Sequence, residues 1–410
     1  MMLRLLTPVA PLLAGVAILL IGQGLQGTLL PVRANIEGFS TLTIGLMGGA
    51  YFLGFTLGCL RGSNLVQRVG HVRVFAAMTA AASAAPLLHG LWVDVWVWSA
   101  LRLVSGYCFA VLYVVIESWL NEQATNETRG AVFSAYTLIT LTMMAGGQQM
   151  LLLHPPQQMA LFAIASALVS IAAIPVALAG SATPEHAETE VRLDLRRMFA
   201  ISPAGALGSL AAGLANGAFW SLAPVFVTGY SSDLRITAYF MTAAVLGGAA
   251  GQWPLGRWSD HVDRRWVIVT AAVIGSLVGV SLWAFDDAVT PLLLLALSAA
   301  WGAVAFPLYS VSAAHANDYA RANEYVMISS GLLLMYGIGA IVGPLIAPLF
   351  MNAVGASGLY LFNAIVHLLL AAYTVVRISR RAPSPDEEHL PFSESLAATQ
   401  TKSQVYEEDL

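Results

Sequence analysis

Apolar residues along this chain come in runs of about 20 positions separated by short polar interruptions. Twelve runs occur, at roughly residues 8–31, 42–61, 74–91, 95–119, 130–153, 158–180, 204–229, 236–256, 266–285, 290–315, 325–350 and 357–378. A backbone in hydrocarbon has to satisfy its own hydrogen bonds, and segments this long do so as helices. Barrel strands would be nearer about ten residues and would alternate apolar with polar positions. The pattern therefore predicts an all-α membrane protein with twelve transmembrane helices.

Two polar stretches punctuate the runs. Residues 181–202, SATPEHAETEVRLDLRRMFAIS, divide the twelve helices six and six, with Glu190 to Phe199 expected as a short amphipathic helix at the membrane surface. The tail from Arg380 on carries Pro383, Pro385 and Pro391 with many acids and is expected to be disordered. The domain reading is an N-terminal bundle over 1–180, a cytoplasmic linker over 181–202, a C-terminal bundle over 203–379 and a cytoplasmic tail over 380–410. Neither polar stretch has room for a catalytic domain. A composition that is 58% hydrophobic and only 10% charged agrees with a chain held almost entirely in the bilayer.

Basic residues set the orientation, because short loops rich in Lys and Arg stay on the cytoplasmic side. With the N-terminus inside, all 19 fall at cytoplasmic ends except Arg33 and Arg235, which face outward, and Arg102, which is left within a helix. Both termini are thus expected in the cytoplasm. The first run is too long for a signal-peptide core and lacks a small-residue cleavage site, so it reads as a retained first helix. Cys59 and Cys108 fall within helices and indicate no disulfide framework.

The chain also repeats itself. Shifting the second half over the first by 193 residues pairs Gln23 with Asn216, Gly24 with Gly217, Thr28 with Ser221, Pro31 with Pro224, Gly54 with Gly247 and Gly58 with Gly251. Three further residues of shift pair Gly106 with Gly302, Tyr113 with Tyr309, Asn121 with Asn317 and Gly147 with Gly343. Each half holds an even number of helices, so both start on the same side, as in transporters built from parallel repeats.

Charge is concentrated in GRWSDHVDRR, residues 256–265. Together with the preceding QWPL it resembles the loop signature of the major facilitator superfamily, here Gly256, Asp260, Asp263, Arg264 and Arg265. The N-terminal copy, GSNLVQRVGHVR, keeps Gly70 with Arg68 and Arg73 but has Gln67 where the acid should stand. LRLVSG, residues 101–106, resembles the family's Arg-x-x-x-Gly element in the fourth helix. The resemblance spans about residues 8–378, and ESWLNEQATNETRGAVFS with the QWPLGR form of the loop is most similar to the YcaD-like bacterial branch. It implies the major facilitator fold, two pseudo-symmetric six-helix halves around a cavity lined by helices 1, 4, 7 and 10.

Site expectations follow from charge and depth. Asp260 can accept from N–H groups at a helix start and pair with an arginine, latching helices 8 and 9 to helix 11 as part of a cytoplasmic gate with Arg68, Gly70, Arg73, Gly256, Asp263, Arg264 and Arg265. The arginines can equally serve topology alone. Arg102, Gly106, Phe109, Tyr113 and Glu117 form one stripe on helix 4. Arg102 either faces the cavity, receiving an anionic group or tuning a proton-carrying acid, or snorkels to a structural pair with Asp94. Glu117 either pairs with Arg129 or Arg68 or carries protons. Gln23, Gln26, Asn216, Trp220, Tyr113 and Tyr309 lie at mid-membrane depth as candidate substrate contacts, though Gln and Asn there also serve as helix-to-helix hydrogen bonders. His315 and His367 read as packing residues.

No P-loop, HExxH, paired CxxC or dinucleotide fingerprint occurs, so no metal, cofactor, nucleic-acid partner or enzymatic activity is expected. The expectation is a monomeric secondary active transporter in a bacterial cytoplasmic membrane, moving a small organic solute by alternating access with protons, efflux favoured over uptake. The alternative is a non-transporting sensor or scaffold that retains the fold.

Overall fold

The structure, a computed structural model, describes residues 9–125, 128–178, 194–284, 290–320, 324–380 and Phe392. Among them are twelve helices long and apolar enough to cross a membrane: α1 Ala10–Ile36, α2 Thr41–Val69, α3 His71–Leu91, α4 Val95–Gln123, α5 Gly130–Leu152, α6 Met159–Leu178, α7 Pro203–Tyr230, α8 Leu234–Ser259, α9 Arg264–Ala284, α10 Pro291–Asn317, α11 Met327–Val354 and α12 Gly358–Arg380. No strand occurs among the described residues. Leu178, Leu277, Leu292 and Leu369 are exposed, as side chains facing lipid tails would be.

Several helices outrun the apolar stretches that predict them. The second run ends near residue 61, yet α2 continues through polar positions to Val69. It stops there because Gly70 takes a φ of +91°, a conformation that reverses the chain and suits glycine, before α3 starts at His71. α1 likewise passes Pro31 to reach Ile36, and its repeat counterpart α7 passes Pro224. Polar residues at a helix end need no burial once they leave the hydrocarbon, so hydropathy alone places these ends early.

Close packing follows the sequence repeat. On α2, Gly54 and Gly58 lie against the backbones of Leu103 and Tyr107 on α4, while Gly106 lies against Tyr51; a Cβ at any of the three would overlap a carbonyl oxygen. The second half builds the same crossing between α8 and α10, with Gly247 against Ala299, Gly251 against Ala303 and Gly302 against Ala244. Each of these six contacts joins repeat-equivalent positions. Small residues let helix backbones approach where lipid supplies no hydrophobic drive, so the repeat in sequence is a repeat in packing.

Two compact units emerge. The first comprises residues up to 188 together with Trp220–Thr242, the end of α7 and the start of α8; the second comprises Thr189–Phe219 and the chain from Ala243 on. Within the first, Asn35 Nδ2 donates to Thr228 Oγ1 at 3.1 Å. Gln149 Nε2 donates to Thr242 Oγ1 at 2.6 Å and to the Ala238 carbonyl at 3.1 Å. The surface helix expected from Glu190 is a described helix over Leu195–Ile201, with Asp194 Oδ1 capping the Arg197 amide at 2.9 Å. Residues 190–193 and the tail, apart from Phe392, lie outside the described residues.

Candidate functional site

In the first unit four side chains from three helices form a continuous polar chain. Tyr113 on α4 donates its hydroxyl to Gln23 Oε1 on α1 at 2.8 Å. The same amide donates through Nε2 to the Tyr51 hydroxyl on α2 at 3.2 Å. The guanidinium carbon of Arg102 then sits 4.1 Å from the centroid of the Tyr51 ring. The close α2–α4 crossing is what brings Tyr51 and Arg102 together, since Gly106, one turn along α4 from Arg102, packs on the Tyr51 backbone. Gln23 joins the two tyrosines by using its acceptor on one and its donor on the other.

In this geometry Arg102 rests on Tyr51 and not on Asp94. Asp94 is occupied as the cap of α4, accepting the Trp96 and Val97 amides at 2.9 Å each, and Arg102 forms no ion pair with it. Among the described residues no acid pairs with Arg102, whose one recorded partner is an aromatic face. A cation over a ring is stabilised by about 0.5–2 kcal/mol, against an insertion cost of about 2.5–3.5 kcal/mol for Arg at mid-membrane. The ring alone therefore leaves the charge under-compensated.

Glu117 lies 15 residues further along α4, a rise of roughly 22 Å. Direct tuning of that carboxylate by Arg102 is excluded by this separation. Its recorded partner is the Tyr136 hydroxyl on α5, at 3.5 Å. Arg68 is exposed and forms no ion pair with it, and the side chain of Arg129 lies outside the described residues. Gln26 is buried with its Nε2 unpaired.

The second unit has its own amide–tyrosine cluster. Asn216, the repeat partner of Gln23, hydrogen-bonds Tyr336 on α11. The Tyr336 ring meets that of Tyr309, the repeat partner of Tyr113, edge to face at 5.2 Å. Ser298 stands where the first half has Arg102. Trp220 is half-buried and belongs to the first unit. His367 is wholly buried, its Nδ1 2.8 Å from the Asn363 carbonyl, and His315 packs edge to face on Tyr319 at 5.2 Å.

The charged loop between α8 and α9 is a network. Asp263 Oδ1 caps the Arg265 amide at 3.0 Å and its carboxylate takes two guanidinium nitrogens of the same residue, Nη2 at 2.6 Å. Burial pushes the Asp263 carboxyl up, but the Arg265 hydrogen bonds and charge outweigh it and hold it below the usual Asp range. Arg264, whose side chain is shielded from solvent, reaches Asp318 Oδ2 at 3.1 Å and Asp260 Oδ1 at 3.5 Å. Asp260 thus faces Arg264 and the Phe392 amide, neither of them on α11, and the strong link from this loop runs to Asp318 just beyond α10. In the N-terminal copy Gly70 forms the turn, while Arg68 and Arg73 are exposed. The acid–base contact there is His71 Nε2 to Glu122 Oε1 at 3.8 Å, an ion pair only when the imidazole is protonated, with Ser118 Oγ at 2.7 Å from the same nitrogen.

Neither Cys59 nor Cys108 forms a disulfide, and among the described residues no three His, Cys, Asp or Glu side chains are placed to hold a metal. Known proteins resemble this chain in sequence and in fold. The sequence model of the Major Facilitator Superfamily matches residues 205–405. Two curated relatives extend the match over nearly the whole chain. One, the MFS-type transporter YcaD of Escherichia coli (strain K12 / DH10B), is 27% identical over 385 residues, covering 92% of this chain and 97% of that protein. The other, the MFS-type transporter Ent638_1421 of Enterobacter sp. (strain 638), is 27% identical over 365 residues, covering 88% and 93%. The chain is similar to major facilitator superfamily proteins over nearly its whole length. Solved structures agree on the fold: the nucleoside transporter NupG superposes with a TM-score of 0.74 at 13% identity, covering 92% of this chain and 98% of that one. A bacterial homologue of the lysosomal transporter Spinster superposes at 0.70 and 14%, covering 93% and 97%.

Among the described residues, polar and charged side chains gather in two places, a polar chain within the helices and a charged network at the α8–α9 loop. Tyr51, Tyr136 and Tyr336 belong to the first group and escaped the sequence reading, because a tyrosine in an apolar run carries no signal without its partner. Asp318 belongs to the second, and Glu122 stands at the equivalent place beside the N-terminal copy of the loop. Here a signal existed, since the repeat that pairs Asn121 with Asn317 pairs these two acids at the next position.

Proposed function

We propose that this chain is a proton-coupled secondary transporter that exports a small organic solute bearing an anionic group. The observation that carries the reading is Arg102, a guanidinium inside a membrane-spanning helix that rests on the Tyr51 ring and has no acid partner among the described residues. An intramembrane cation normally marks a solute or ion path, and a planar fork of donors suits a carboxylate or phosphate. Gln23 and Tyr113 would read the polar part of the same solute, with Gln26, Asn216, Trp220 and Tyr309 as further contacts. Glu117 and Tyr136 would carry the proton step, separated from solute binding by their distance along α4.

In this reading the protein works as a monomer by alternating access, both termini lie in the cytoplasm, and the α8–α9 loop with Arg68, Gly70 and Arg73 forms the cytoplasmic gate. Export is favoured because a proton taken up from outside can return through Glu117, near the expected inner surface.

Proteoliposomes loaded with a pH-sensitive dye and challenged with a panel of small organic anions test the reading directly. Solute-dependent proton movement that Arg102→Ala removes is the expected result. Proton movement independent of every solute, or none at all with correctly folded protein, would favour a membrane sensor that merely keeps the fold.

A further inference from the structure

Beyond α12 the chain returns to the α8–α9 loop at one described residue, Phe392. Its side chain is 8% exposed. Its backbone N–H donates to Asp260 Oδ1 at 2.7 Å. Its ring fills the space over Gly256, such that the three atoms nearest to a Cβ built on Gly256 all belong to Phe392 and the closest would overlap it. We propose that the α8–α9 loop carries a docking site for the chain's own C-terminal tail, with Phe392 as its anchor.

Two independent features make it a site rather than a chance contact. Asp260 supplies a charged acceptor to a backbone donor, the kind of hydrogen bond that is short and strong. Gly256 supplies a notch in the last turns of α8, where glycine otherwise weakens a helix relative to alanine. Eleven residues lie between Arg380 and Phe392, a length whose extended reach is about 40 Å. Because one carboxylate both holds the Phe392 amide and faces Arg264, any rearrangement that draws Asp260 away must release the tail. Tail docking and the conformation of this loop are then linked in both directions. The inference goes beyond the transport reading and does not depend on the solute.

Chymotrypsin provides the test on the full-length protein in detergent, with mass spectrometry following the Phe392–Ser393 and Tyr406–Glu407 bonds, each rate normalised to the same bond in a free peptide of residues 386–410. Cleavage tracks the population of the undocked form. In the wild type the normalised Phe392–Ser393 rate is expected about tenfold below that of Tyr406–Glu407. Gly256→Ala, which inserts a methyl group into the notch while favouring the helix, is expected to raise only the first rate, with an unchanged melting temperature. Asp260→Ala is expected to do the same through the lost acceptor. Equal normalised rates at the two bonds in the wild type, or protection of Phe392 that survives both substitutions, overturns the proposal.

Discussion

Arg264 reaches Asp318 at 3.1 Å with both side chains almost fully withdrawn from solvent, and the sequence repeat places His71 and Glu122 at the same two positions of the first half, 3.8 Å apart. One internal duplication has thus produced two base–acid links between the loop after an even-numbered helix and the end of the next even-numbered one. They differ in burial. The second-half pair is sealed, whereas Glu122 is 36% exposed.

Burial predicts unequal energetics for the two pairs. Asp318→Asn removes the nearer counter-charge of a buried guanidinium, leaving it only the longer contact to Asp260 at 3.5 Å, and is expected to lower stability by about 3 kcal/mol. Glu122→Gln, at the wet pair, is expected to cost less than about 1 kcal/mol. Unfolding of both variants in mixed micelles checks this, and equal losses would mean that the repeat, not burial, sets the strength.

The Arg102–Tyr51 contact separates two roles of one tyrosine. Tyr51→Phe keeps the aromatic face under the guanidinium and removes only the hydroxyl that accepts from Gln23, so a loss of about 0.5–1.5 kcal/mol in solute binding is expected. Tyr51→Leu removes the face as well and is expected to approach Arg102→Ala, which abolishes coupled transport. Arg102→Lys should rescue in part, since a point charge lacks the planar fork. In an anion receptor the solute affinity falls across this series while the pH profile stays put. Normal affinity with a displaced pH profile would instead assign Arg102 to proton coupling.

Asp263 predicts an acid-side effect whose sign follows from its environment. Its carboxyl is held below the usual Asp value of 3.8 despite burial, chiefly by Arg265. A depressed folded-state value contributes stability that is complete above the ordinary value and is lost as pH falls through the depressed one. Wild-type protein should therefore lose stability below about pH 4 more steeply than Asp263→Asn, while the substitution costs stability at neutral pH. Melting temperatures in detergent from neutral to acid pH compare the two slopes, and parallel curves would show that the bidentate contact contributes nothing.

The fold was legible because hydrocarbon solvent leaves the chain so few choices: long apolar runs give helices, and the glycines shared by the two halves mark where backbones meet. The helix ends were less legible, as at Val69 and Ile36, because hydropathy is silent once a helix leaves the bilayer. At the site, Gln23, Tyr113 and Arg102 were visible as polar exceptions in apolar runs. Their connection was not, since it passes through Tyr51 on a helix that sequence spacing cannot relate to α4. The Asp94 partnership considered for Arg102 fails for a local reason, the carboxylate being already engaged with the first turn of its own helix. Phe392 was invisible, since one of two isolated aromatics in a polar tail gains meaning only from the notch at Gly256.

Gln149 of α5 and Thr242 of α8, joined at 2.6 Å, supply a test of motion that needs no knowledge of the proton path. Alternating access requires contacts closing one side of the membrane to part when that side opens, and the Thr242 hydroxyl lies 3.2 Å from Gln148 Oε1 as well. With Cys59→Ser and Cys108→Ser removing the native thiols, Gln149→Cys and Thr242→Cys together should accept a short, reducible cross-linker. Transport is expected to fall to background on cross-linking and to return on reduction, whereas either cysteine alone should leave it within about twofold of the parent, as substitutions that keep the packing usually do. A part-buried hydroxyl–amide contact contributes only about 1 kcal/mol, small enough to break in every cycle. Transport that survives complete cross-linking would place α5 and α8 on one rigid body and move the opening elsewhere.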